Sequence, residues 1–337
     1  LALCTVLSGC SRLVPSEYVR VSKHDAGGTV QENADVLSAN DFQSLKAAIL
    51  SFVKSGIEHG VIRVQSYEGG DVEEDLSTAA YQIAREDPYG AYMVDYMTHS
   101  CSLIVSYYEI GIDITFRQGI AFPDELRHVS SAANAQALIR RTMDRYGSRL
   151  VLYTGFNLPL DYVAEAQSYF DQNPGRLMAM PEVRCTSYPE NSTPCIVEMT
   201  FTYPYDEQTL RDMAQAVDDT LHAASVYLRY RDTELEKATL LFTYLLERFS
   251  YVVRETVYSH LCDGITSSKS AAQSWQLLCD EIGLNCVTVS GLYQGSAHWW
   301  NILSLDGMYY HVDTFRDLLE SGELRLLSDA DMTDYYW

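Results

Sequence analysis

The residues of this 337-residue chain that could do chemistry crowd its last third. Thr266, Ser267, Ser268 and Ser270 lie in DGITSSKSAAQSW, where a hydroxyl-rich loop runs into a striped apolar segment. A hydroxyl attacks a carbonyl only if an aligned base removes its proton during the attack. A candidate base follows in HWWNILSLDGMYYHVDTF. Asp306-Gly307 signals a two-residue type I′ turn. Counted outward, Leu305 faces Met308, Trp300 faces Asp313 and His298 faces Phe315. His298 and Asp313 then share a face as diagonal neighbours, about 7 Å apart at the backbone, where imidazole and carboxylate can meet. An Asp that holds a His orients a general base, although a pair of this kind in a hairpin also serves structure alone.

The elements that must position these groups are legible. RDTELEKATLLFTYLLERFSYV predicts a helix capped by Asp232 or Thr233, with the stripe Leu235, Ala238, Phe242, Leu245 and Phe249. In the next helix Ala271, Ala272, Trp275, Leu278 and Ile282 share one face, Gly283 closes it, and Ser267 or Ser268 stands at its start. NCVTVSG reads as a strand before the hairpin.

Upstream, two stretches share one order: amphipathic helix, β-rich run, polar turn, second helix, then a stop at Asp87-Pro88 or Asn173-Pro174. The runs are GVIRVQSY and RLVLYTGF; AYMVDYM with SLIVSYYEIGIDITFR, and EVRCTSY with CIVEMTFTYPY, follow as strand pairs. The expectation is an α-β-α-β-β unit occurring twice, in copies of roughly 85 residues. Neither copy holds a catalytic cluster. The 25 tyrosines fit ordinary strand propensity better than a binding surface.

The order of the last third resembles bacterial transglutaminase-like proteins of the papain-like fold, which carry a Cys-His-Asp triad. The resemblance covers about residues 230–337 and is most specific in HWWNILSLDGMYYHVDTF. It implies that His298 is the base and Asp313 its partner, with Trp300 and Asn301 as the Trp-Asn that follows the histidine. YSHLCDGITSSKSAA aligns from Tyr258 to Ala272 without a gap, and the cysteine position falls on Ser268. Cys262 and Cys279 lie elsewhere. The fold class expected is therefore α+β: a C-terminal transglutaminase-like (papain-like cysteine protease) domain at 206–337, entered through a helical linker and preceded by the repeats at 38–122 and 123–205.

Composition narrows the partners. Forty-six acidic residues against 24 basic ones give a net charge of -22, which excludes a phosphate-neutralising nucleic-acid surface. No glycine-rich phosphate loop, zinc spacing or other cofactor motif occurs, so neither a metal nor a cofactor is expected. The opening LALCTVLSGC reads as the tail of a secretory signal over 1–9. LSGC resembles the bacterial lipobox, which implies lipidation of Cys10, a tether over 10–37 and an anchor on the outer face of a bacterial membrane. Cys185 and Cys195 flank TSYPENSTP. They are read either as a disulfide across a hairpin, which export permits, or as two buried thiols.

Two functions follow. One is a cell-surface module whose transglutaminase-like site is degenerate, holding an extracellular peptide, protein or cell-wall glycan in a groove lined by Trp275, Trp299 and Trp300. The other is an extracellular amidase, protease or acyltransferase using Ser268, His298 and Asp313. An alcohol cannot form the pre-ionised pair that a thiol forms at a helix start, which favours the first.

Overall fold

The computed structural model describes residues 36–228, 230, 231, 233–248, 257–262 and 267–337. Cys10, the tether up to residue 35, Asp232, Phe249 and Thr266 lie outside them. The described residues are mixed α+β, with three four-stranded sheets.

The first sheet is built from β1 (Val36–Ser38), β2 (His59–Val64), β3 (Val94–Ile104) and β4 (Tyr107–Phe116), in the order β1-β2-β4-β3. Helices α1 (Phe42–Ser55), α2 (Val72–Glu86) and α3 (Pro88–Met93) complete this part. Leu45, Ile49, Phe52 and Val53 recur at helical spacing in α1 and are buried against Ile62, Ile110 and Ile112 of the strands. Asp41 caps α1 by accepting from Ser44 N at 2.7 Å.

Two readings of this region change. Pro88 does not simply stop α2. It opens α3 at its first position, where a missing N–H costs nothing, and Asp87 caps that turn through Tyr89 N and Gly90 N. A Cβ on Gly90 would meet the Ile83 carbonyl at 1.9 Å, so only glycine lets the two helices approach this closely. Ala91–Met93 are therefore helical, and a single strand, β3, runs on through Ser102–Ile104 to a turn at Val105.

The second sheet comprises β5 (Arg127–Val129), β6 (Arg149–Thr154), β7 (Glu182–Tyr188) and β8 (Cys195–Thr202), ordered β5-β6-β8-β7. Helices α4 (Ala132–Met143) and α5 (Tyr162–Gln172) cover it. Each sheet thus begins with a short parallel pair, β1 with β2 and β5 with β6, and continues antiparallel. Cys185 stands opposite Met199 in the β7–β8 register, four residues along β8 from Cys195. At about 3.3 Å per residue that offset is roughly 13 Å, beyond the reach of a disulfide. Both thiols are free, Cys185 exposed and Cys195 buried.

The third part contains α6 (Glu207–Leu228), α7 (Glu234–Leu246), α8 (Val257–Leu261), α9 (Ser268–Glu281), β9 (Cys286–Tyr293), β10 (Ser296–Leu305), β11 (Met308–Val312), the turn α10 (Thr314–Arg316) and β12 (Tyr335–Tyr336). Its sheet is ordered β11-β10-β9-β12. Helix α6 belongs to this core: Leu210, Val217, Ala224 and Leu228 join Trp275 and Leu278 of α9. Thr233 caps α7, but Leu235 is 49% exposed, and the buried stripe is Ala238, Leu241, Phe242 and Leu245. Among the described residues no helix is long and apolar enough to cross a membrane.

Candidate active site

The hairpin β10–β11 carries the candidate base, His298. Asp306 and Gly307 adopt φ of 49° and 80°, the left-handed pair that a type I′ turn requires. Leu305 pairs with Met308, and the ladder runs to Asn301 opposite Val312. Beyond Val312 the chain leaves the sheet, because Asp313 caps the turn α10 by accepting from Arg316 N at 3.1 Å. Phe315 therefore sits in that turn and not across from His298.

His298 and Asp313 meet: Nε2 lies 2.6 Å from Oδ2. The pair is enclosed, with His298 7% and Asp313 1% exposed. The same Oδ2 accepts from the Tyr335 hydroxyl at 2.7 Å, and Arg316 donates to that hydroxyl at 2.9 Å. Burial, then the Asp313 carboxylate, pushes the Tyr335 hydroxyl well above its ordinary value, so Tyr335 stays protonated and donates. With Asp313 as a carboxylate, the neutral imidazole carries its hydrogen on Nε2. Its lone pair is then on Nδ1, the nitrogen a general base would use. The rings of Tyr293, Phe315 and Tyr335 surround the imidazole, with centroids 5.5, 6.2 and 6.0 Å away.

A second histidine supports the strand from the side. Trp300 Nε1 donates to His311 Nδ1 at 3.0 Å, and His311 Nε2 lies 3.0 Å from Asp329. An indole N–H only donates, so His311 Nδ1 must accept and its hydrogen sits on Nε2.

The helix start holds the other half. Ser267 is the N-cap of α9, and Ser268 is its first residue. Ser270 N donates to Ser267 Oγ at 3.3 Å, and Ser267 N donates to Ser270 Oγ at 2.8 Å, a reciprocal capping box. Ser268 is half-buried, and its hydroxyl makes no hydrogen bond to His298 or to any other described residue. The turn α10 packs against α9 and β10, which carries Asp313 toward this helix. Lys269 bridges to Asp171 of α5 at 2.5 Å. His260, on α8, is fully buried with Nε2 unpartnered; burial pulls it down to about 4, opposed by the carbonyl of Ser270 3.4 Å from Nδ1.

The tryptophans do not line one groove. Trp275 is 0% exposed in the core of the third part, and Trp300 is 0% exposed in a separate cluster with Met332 and Tyr335. Each removes about 200 Å² from water, worth on the order of 5 kcal/mol before entropic costs, which identifies them as core residues. Asn301 is equally buried: its Nδ2 donates to the Ala272 carbonyl at 2.9 Å and clamps β10 to α9. Trp299 alone is half-exposed, facing a cleft. Neither spare thiol replaces Ser268. Burial raises Cys279 well above the ordinary thiol range, and exposed Cys262 lies against Thr220 of α6. Tyr335 and Arg316 were not among the residues singled out in the sequence. They lie in or beyond the turn after the hairpin, and no spacing marks them.

No protein-family model and no curated protein matches the chain. Eight solved chains do. One is a TGase, 10% identical over 62% of this chain and 63% of that one, with a TM-score of 0.29. A putative cysteine protease from Cytophaga hutchinsonii is 11% identical, with 46% and 68% covered and a TM-score of 0.27. The periplasmic domain of TgpA from Pseudomonas aeruginosa, bound to ethylmercury, is 12% identical, with 41% and 68% covered and a TM-score of 0.26. This chain spans less than two thirds of the TGase's length. Overlaps this small carry no argument; the functional reading rests on the residues.

Proposed function

We propose that residues 206–337 form a transglutaminase-like, papain-like domain that has lost its nucleophile and acts as a non-catalytic binding module for an extracellular peptide, protein or glycan. In this reading LSGC gives an export signal and a lipid anchor at Cys10, placing the module on the outer face of a bacterial membrane, and the two upstream sheets are copies of one scaffold. One observation carries the loss of chemistry. His298 is bonded to Asp313 as a base should be, while the residue at the helix start is an alcohol whose hydroxyl has no bond to that histidine. A thiol there can ionise beforehand, helped by the helix N-terminus; an alcohol needs the base aligned on it.

The intact His298–Asp313–Tyr335 set favours a second reading, acyl transfer or amide hydrolysis by Ser268. The two separate cleanly. Purified protein is treated with a fluorophosphonate and, separately, a thiol alkylator, and adducts are mapped by mass spectrometry. The binding-module reading expects no label on Ser268 and no turnover of casein or glutamine-donor peptides. A label on Ser268 that disappears in His298→Ala overturns it. Ser268→Cys is expected to create a thiol that the alkylator labels.

A further inference from the structure

Between α5 and the C-terminal sheet lies a cleft of about 600 Å³, a usual size for a small-ligand site. Gln167, Asp171 and Gln172 of α5 form one wall; Gln273 of α9 and Trp299 of β10 stand on the other. Asp171 is the one charged residue among those that line it, and Lys269 neutralises it at 2.5 Å. The Lys269 ammonium also lies 5.2 Å from the centre of the Trp299 ring.

Four amides line this cleft: Gln276 accepts from Thr288 N and Oγ1 through its oxygen, at 3.0 and 2.7 Å, while the other three spend their nitrogens on the protein. Gln167 Nε2 donates to Asp171 Oδ1 at 3.0 Å, Gln172 Nε2 to Ser168 Oγ at 2.9 Å, and Gln273 Nε2 to the Asp171 carbonyl at 2.9 Å. None of the three amide oxygens accepts from a donor among the described residues. Gln273 is 4% exposed, while Gln167 and Gln172 are exposed. The cleft thus offers an aromatic plate, several acceptors aimed at no protein donor, and no net charge.

A charged peptide finds no counter-ion there. A neutral ring bearing several hydroxyls meets both demands, its C–H face against the indole and its hydroxyls donating to the amide oxygens. We infer that the cleft beside Trp299 is a binding site for a neutral glycan. The inference rests on the binding-module reading and locates its ligand. Trp299 follows His298 on β10, where successive side chains take opposite faces, and Lys269 follows Ser268 at the start of α9. Its walls come from the second and third parts of the chain, and the bonds of Asp171 to Lys269 and Gln273 hold them together.

The test is calorimetric titration of the purified protein with chitotetraose, with cellotetraose and with a capped tetra-alanine peptide. Saturable binding of a tetrasaccharide is expected, weakened at least about tenfold by Trp299→Ala. Gln167→Ala, at an exposed position that cannot unfold the chain, is expected to weaken it a few-fold. A sugar bound equally by wild type and both variants overturns the cleft assignment and leaves the binding module standing. Binding of the peptide alone overturns the glycan class and leaves the module. Binding of none of the three overturns the glycan site and leaves the module reading to the fluorophosphonate experiment.

Discussion

On the hairpin side of the candidate site, Asp313 accepts hydrogen bonds from three elements: His298 of β10, Arg316 N of α10 and Tyr335 of β12. On the helix side, Ser267 and Ser270 bond to each other, and His260 beneath them keeps a buried nitrogen without a partner. The Asp313 carboxylate is therefore held from several directions, while the start of α9 is arranged to begin a helix. The contrast teaches which half still constrains the molecule. Polar groups that cross-link distant segments resist change, whereas a cap is local and replaceable.

The largest effect should come from Asp313→Ala. It strands His298 and Tyr335 in a dry pocket and should cost about 3–5 kcal/mol in urea unfolding. A loss under about 1 kcal/mol would mean the hairpin side is no better tied than the helix side. His260 comes next. Its folded value is about 4 against an ordinary 6.5, so below pH 6.5 the unfolded chain takes up a proton that the folded chain refuses. The contribution is complete above about pH 6.5 and lost as pH falls toward 4, on the order of 3 kcal/mol in all. Between pH 7 and 4 the wild type should lose more stability than His260→Gln, by a difference that grows as pH falls from 6.5 toward 4.

Tyr335→Phe removes one bond to Asp313 and should cost about 1–2 kcal/mol by the same unfolding assay, while leaving Arg316 without that acceptor. Ser267→Ala removes the cap of α9 and should cost about 1 kcal/mol, read as a lowered melting temperature. Ser268→Ala should change stability by less than about 0.5 kcal/mol, since its hydroxyl bonds to no described residue. A cost near that of Ser267→Ala would instead give Ser268 a structural duty and blunt the contrast.

The hairpin was legible because its evidence is local. Asp306-Gly307 sets the turn, the turn sets the register, and the register puts His298 and Asp313 on one face. The apolar stripe of α9 and its cap at Ser267 were readable for the same reason. What could not be read depends on segments far apart. Whether Trp300 faces a ligand or a core is decided by Tyr335 and Trp337, whose rings lie 5.2 and 5.9 Å from it. Trp275 reads as one face of a helix, but α6 buries it as well, and α6 looked like a linker. Cys185 and Cys195 seemed to flank a tight hairpin, yet the link from Pro189 to Pro194 separates their rungs. Pro88 ends one helix in pattern and begins another in space.

The short strand β12 has a consequence for how the protein is made. It pairs with β9 so closely that a Cβ on Gly291 would meet the Tyr336 carbonyl at 2.2 Å, and it delivers the Tyr335 hydroxyl to Asp313, 22 residues earlier. A ribosome releases His298 and Asp313 well before Tyr335. Until that tyrosine emerges, the nascent hairpin has one fewer donor on its carboxylate and an indole, Trp300, open to water. Products of premature termination between Arg316 and Tyr335 should therefore carry Ser268, His298 and Asp313 in their sequence and yet unfold at lower urea than the longer chain.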